Sequence, residues 1–223
     1  MMIDRFAHPA LVVVDMQNDF VRVGAPLEVP EARDTIPIQQ ALLATCRELS
    51  VPVLYTKFLA GPAPALIWEW SPVLAPPVRC CWKGVRRRYA DAAEELDGSE
   101  IIAELAPAAG EPIVEKFGYG AFHDTNLDEL LRAHRVESVL VTGTVTQICV
   151  EETARESFHR GYRTTIVADA VSSYLPHLHA ATLENFGRKF GWVSTAEEVI
   201  AELRQRNAAG LASDAAMSSQ VPA

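Results

Sequence analysis

No apolar run in this chain approaches the roughly 18–20 residues needed to span a bilayer. The first residues, MMIDRFAHPALVVVD, break their short apolar stretch with Asp4 and Arg5 and lead to no small-residue cleavage site. They read as a first strand and not as a secretion signal, so no membrane is expected and the location implied is cytoplasmic. Basic residues are in deficit: 20 Lys and Arg stand against 29 Asp and Glu, a net charge of −9. That argues against a sequence-independent grip on nucleic acid or anionic lipid, which needs a broad positive face. The one basic cluster, Lys83 with Arg86, Arg87 and Arg88, is short and isolated. A solvated or salt-bridged face is its expected use. Cysteine is sparse as well. Cys46, Cys80, Cys81 and Cys149 have no CxxC spacing and two are adjacent, so reduced thiols are expected.

What the chain does have is apolar material for one substantial core, with 49% apolar and 22% charged residues among 223. Short apolar runs alternate with helical spacing. ALVVVD (10–15), VPVLYTKF (51–58), EPIVEKF (111–117), VESVLVTG (136–143), YRTTIVAD (162–169) and GWVST (191–195) read as strands. Helices are expected over 35–50, 99–105, 125–135 with Thr125 as N-cap, 147–160, 178–190 and 196–206. From 59 to 92 the pattern breaks into a long connection carrying Trp68, Trp70 and Trp82, and such a segment in a compact domain is more often functional than idle. Residues 1–207 are expected to form a single domain, and the small, polar stretch 208–223 a disordered tail. Strands buried on both faces, each followed by a helix, give a three-layer α/β/α fold, Rossmann-like, on a mostly parallel sheet. Ligands of such sheets sit outside the carboxyl ends of the strands, near the point where strand order reverses.

Three reactive residues fall at those ends: Asp15 after the first strand, Lys116 at the end of IVEK, and Cys149 at the start of the helix after VLVTG. Each has a bland use, as a turn former, a solvated lysine or a small buried hydrophobe. Together they suit nucleophilic chemistry. A helix N-terminus and an ammonium favour a thiolate, and a carboxylate can take the thiol proton and deliver it to a leaving amine. Amide N–H groups of the turn 143–146 and of Cys149 are available to an oxyanion. No histidine lies in these motifs, so a Cys–His pair gains no support.

VVVDMQNDFV (12–21), VEKFGYGAFHDTNL (114–127) and VTGTVTQICVEETARESFHRGYRTTIVADAVSS (141–173) resemble the isochorismatase-like superfamily of cysteine hydrolases. The resemblance implies a parallel sheet of about six strands, assembly as homodimers or homotetramers, and a triad of Asp15, Lys116 and Cys149. It also implies a cis peptide at Thr144–Val145, with Val145 and Cys149 supplying the oxyanion hole. Family members that cleave isochorismate lack the nucleophilic cysteine, which Cys149 argues against. Nicotinamidases hold a metal through an Asp and histidines after the second strand, where LYTKFLAGPAPALIWEW (54–70) has neither. The six histidines form no ligand constellation, and no metal or other cofactor is expected.

The expected activity is metal-independent hydrolysis of a C–N bond in a small amide, carbamoyl or ureido compound through a thioester. The alternatives are an isochorismatase-type or ester hydrolase, or a non-catalytic oligomeric binding protein. Candidate substrate-binding residues are Phe20, Trp68, Trp82, Tyr119 and Gln147. Gln147 stands where many members carry a small acidic or serine residue, and its amide can bond an amide or ureide with either end. Arg87 or Arg88 is a candidate for a substrate carboxylate.

Overall fold

Every apolar run becomes a strand, and all six main strands lie parallel in one sheet. The computed structural model describes residues 4–62 and 78–218, with side chains followed to residue 209. Trp68 and Trp70, and the tail beyond 218, lie outside the described residues. The main strands are β1 (Pro9–Val14), β2 (Val53–Phe58), β5 (Ile113–Lys116), β6 (Ser138–Thr144), β7 (Arg163–Ser172) and β8 (Trp192–Ser194), in the order β5-β2-β1-β6-β7-β8. A short antiparallel pair, β3 (Arg86–Arg87) with β4 (Leu96–Asp97), lies between β2 and β5.

The alternation of β1 explains the layers. Leu11 and Val13 face one core, and Ala10, Val12 and Val14 face the other. On the first face α2 (Ile36–Glu48) contributes Leu42, Leu43 and Cys46, and α6 (Ala196–Ser218) contributes Val199 and Leu203. On the second, α3 (Leu127–Ala133), α4 (Glu151–His159) and α5 (Pro176–Lys189) bring Leu131, Ala154 and Phe186. Each fully buried Leu, Val or Phe contributes roughly 1.5–3 kcal/mol, so the two cores hold the sandwich without disulfides. All four cysteines are free and buried. Among the described residues no helix is long and apolar enough to cross a membrane.

Three expected elements differ. The helix over 99–105 shrinks to a single 3-10 turn, Ala103–Leu105. The backbone before it is already used: the N–H groups of Asn18 and Asp19 donate to the carbonyls of Glu100 and Gly98, and Ile102 N–H donates to Met16 O. Those bonds compete with i→i−4 pairing. The helix expected from 147 opens instead as a π turn, Thr146–Val150, with Val150 N–H donating to Val145 O. The last helix, expected to end at 206, runs Ala196–Ser218, through residues assigned to a disordered tail. That stretch is rich in alanine, the strongest helix former.

Gly143 closes β6 against β1 with φ +109°, and a Cβ there would lie 2.0 Å from the Val14 carbonyl oxygen. A backbone atom cannot give way as a side chain can. Gly143→Ala is therefore expected to cost about 3 kcal/mol or more. At about 2–4 °C per kcal/mol for a chain of this size, a melting-temperature loss under about 5 °C would refute this.

Candidate active site

The chain runs from β1 outward through β2 to β5, then returns to the other side of β1 with β6. The strand order therefore reverses between β1 and β6, and the residues after those strands face one crevice. Asp15, just past β1, has φ +50°, a region Asp tolerates better than most residues. Its N–H donates to Thr56 Oγ1 (3.2 Å), and that hydroxyl donates back to Asp15 Oδ1 at 2.6 Å. Asp15 Oδ2 faces Lys116 Nζ at 2.7 Å, with both side chains fully buried. Among the described residues Oδ2 has no well-angled hydrogen bond beyond that ion pair, so it keeps a lone pair for a proton.

Lys116 also donates to the carbonyls of Tyr119 (2.8 Å) and Gly118 (3.1 Å). Burial works against its charge, but Asp15 and Cys149 outweigh it and hold the ammonium above its ordinary range. Cys149 lies in the π turn after β6, 4% exposed, and its thiol interacts electrostatically with both Asp15 and Lys116. Burial pushes that thiol up to about 12, against the pull of Lys116. The expectation that the ammonium and helix end favour a thiolate thus meets a stronger opposing effect, the desolvation of the buried sulfur. The resting group is a thiol with a carboxylate beside it.

The other cysteines behave alike: burial raises Cys46 to about 12 and Cys80 to about 11, and raises Cys81 well above its ordinary value of 9.0. In the unfolded chain these thiols lose their protons near 9.0, whereas the folded protein keeps them. Above that pH the native state binds more protons, so stability falls as pH rises. Lys116 adds to the trend in the same direction. The melting temperature is expected to fall steadily from about pH 9 to pH 11, and a flat profile by circular dichroism would contradict this.

The segment after Asp15 is fastened to Phe58, to Ser99 and to residues 81–89. Gln17, fully buried, donates to Phe58 O and Ser99 O (both 2.9 Å) and accepts from Phe58 N–H at 2.8 Å. Asp19 accepts from Cys81 N–H (2.7 Å) and Tyr89 hydroxyl (2.6 Å) and pairs with Arg87 Nε at 3.0 Å. Arg87 is thereby committed to Asp19 and not to a substrate carboxylate. Sequence reasoning missed Thr56, Gln17 and Asp19; a threonine inside VLYTKF was the available signal. It also missed Thr146, whose hydroxyl meets His179 Nδ1 at 2.9 Å; burial lowers the His179 pKa.

The Thr144–Val145 peptide bond is cis. A cavity of about 400 Å³ is lined by Tyr119, Gln147, Ile148, Glu151, Glu152 and Arg155, and by none of Asp15, Lys116 and Cys149. Tyr119 and Gln147 thus reach it. Phe20 is packed in the first core with Met16 and Phe58, and Trp82 closes over Gly61, where a Cβ would meet its ring at 2.1 Å. Neither lines that cavity. Among the described residues no group of three or more His, Cys, Asp or Glu is placed to hold a metal ion.

The Isochorismatase domain model matches residues 9–198. The chain is 30% identical over 213 residues to the ureidoacrylate amidohydrolase of Pseudomonas syringae, covering 85% of this chain and 81% of that protein. It is 34% identical over 191 residues to nicotinamidase 3 of Arabidopsis thaliana, covering 82% and 83%. Among solved structures, the N-carbamoylsarcosine amidase of Thermoplasma acidophilum superposes with a TM-score of 0.68 at 34% identity, over 84% of this chain and 96% of that one. With the family model spanning most of its length, and the crevice formed by the segments that carry the family's motifs, the chain belongs to the isochorismatase family.

Proposed function

We propose that the protein hydrolyses a C–N bond of a small amide, carbamoyl or ureido compound, with Cys149 as nucleophile and no metal in the mechanism. The observation that carries this is the closed cluster at the strand ends: a buried Asp15–Lys116 ion pair at 2.7 Å with the Cys149 thiol interacting electrostatically with both partners. Amidohydrolase and amidase relatives at 30–34% identity support the same bond type.

Cys149 Sγ attacks the carbonyl carbon as its proton passes to Asp15. The negative charge that develops on oxygen is taken by the amide N–H groups of Val145 and Cys149. The C–N bond breaks, Asp15 returns the proton to the departing ammonia or amine, and a thioester remains. Water, deprotonated by Asp15, adds to the thioester; the C–S bond breaks and Asp15 reprotonates the thiolate. Because the free thiol lies near 12, proton transfer to Asp15 accompanies attack. Lys116 holds Asp15 in place through their ion pair. Residues 54–70 offer no Asp or His to a metal, and no step above calls for one.

Ammonia release from a panel of small amides, carbamoyl compounds and ureides is the test. Turnover of at least one member is expected, and turnover only of esters or vinyl ethers would overturn the reading.

A further inference from the structure

The turn that carries Cys149 is tied to α5 by side-chain bonds as well as by packing. Thr146 opens that turn directly after Val145, and no side chain caps its start. Thr146 is fully buried, and its hydroxyl meets His179 Nδ1 at 2.9 Å with no other hydrogen bond among the described residues. One turn further along α5, Thr182 Oγ1 donates to Glu151 Oε2 at 2.8 Å. The two contacts lie on one face of α5 and bracket the nucleophile. Thr146 itself sits between Val145 and Cys149, the two proposed oxyanion donors.

The polarity of the Thr146–His179 bond follows from the chemistry of the pair. A buried hydroxyl hydrogen without an acceptor is destabilising, and Nδ1 is the acceptor beside it. The imidazole is then neutral, with its hydrogen on Nε2. Protonation would make Nδ1 a donor, and the hydroxyl hydrogen would have to leave the bond. His179 is half-buried, and burial holds it neutral below its ordinary 6.5. The titratable groups facing α5 are Cys149, in the same core as Phe186, and Glu151, Arg155 and His159 on α4. Arg163 and Asp169 on β7 are bonded to Glu137 and to the Ala196 N–H, and β8 carries none. None of these charges contributes to the His179 shift.

We propose that His179 is a positioning residue for the reaction at Cys149: its neutral imidazole accepts the Thr146 hydroxyl and so holds the turn that aims the Val145 and Cys149 amides, and its protonation releases that turn. Oxyanion donors act only when held close to the oxygen they serve, so the bond bears on rate more than on substrate binding. The consequence for turnover rests on the reading of the site as a C–N hydrolase; the coupling of His179 to the turn does not.

Amide NMR spectra of the substrate-free protein, followed from about pH 8 to about pH 5, read that coupling. The His179 ring is expected to titrate with a midpoint below 6.5, and the Val145 and Cys149 N–H resonances to move with it. In His179→Asn, whose carboxamide oxygen accepts a hydroxyl but takes no proton, they should stay in place. With any panel member that releases ammonia, parent kcat should fall on the acid side at that same midpoint, and His179→Asn should lack that step. His179→Leu, which removes the acceptor, is expected to lose about tenfold in kcat at neutral pH with KM within about threefold, and His179→Asn to recover most of the loss. Thr146→Val removes the bond from its other side and should match the leucine variant, which covers a misfolded His179→Leu. Val145 and Cys149 resonances that ignore the His179 titration, an acid step kept by His179→Asn, or parent kcat in Thr146→Val overturns the inference. No turnover of any panel member, with the resonances following His179, would sink the hydrolase reading and not the coupling.

Discussion

Cys149→Ala is expected to fold as the parent does and to lose at least about 10⁴-fold in kcat. The change removes one sulfur from a buried position beside Val150 and Ala154, so it spares the core while removing the atom that would form the thioester. Asp15→Asn is the sharper companion. Asparagine keeps the shape and can still accept from the Thr56 hydroxyl, now at 2.6 Å from Oδ1, but it takes no proton from a thiol held near 12. A loss of about 10²–10⁴ in kcat is expected from removing a general base. Because both residues act in one step, the double variant should be little worse than Cys149→Ala alone. If Asp15→Asn retained most of the activity, the thiol proton would be leaving by another route.

Lys116→Met carries the largest expected effect on stability. The ammonium is fully buried against a fully buried carboxylate and donates to two backbone carbonyls. Methionine fills much of the volume but leaves Asp15 as an unpaired buried charge, which costs about 3–5 kcal/mol. The melting temperature should fall by about 6–20 °C. The cost belongs to the orphaned charge and not to the lost volume, so a second change that removes the charge should recover most of it. Lys116→Met with Asp15→Asn is therefore expected to be more stable than Lys116→Met alone. A double variant no better than the single one would show that packing, not charge, makes Lys116 necessary.

The strands were legible because a strand buried on both faces leaves a continuous β-branched run, as in ALVVVD and VESVLVTG. The three reactive residues were legible because parallel topology brings the carboxyl ends of those runs to one edge. Less could be read where tertiary contacts decide the outcome. SEIIAEL carries helical spacing, yet its backbone is taken by pairing with 16–19, a contact more than eighty residues away. The thiol at Cys149 looked activated by its neighbours, and only the depth of its burial reveals that desolvation dominates. Phe20 follows a catalytic motif closely in sequence but turns into the core on α1 (Asn18–Val21). Gln17 and Asp19 read as parts of a motif, whereas their role as fasteners of the 79–102 segment depends on hydrogen bonds that spacing does not disclose.

The account stands or falls on a covalent bond at Cys149. Mass spectrometry of acid-quenched protein, taken during turnover of any ureide or amide that releases ammonia, measures it directly. The prediction is a peptide containing Cys149 heavier by the mass of the substrate minus ammonia or its amine, and no such mass in Cys149→Ala protein. Steady ammonia release with every Cys149 peptide unmodified, under conditions where the thioester's hydrolysis is the slow step, would contradict it.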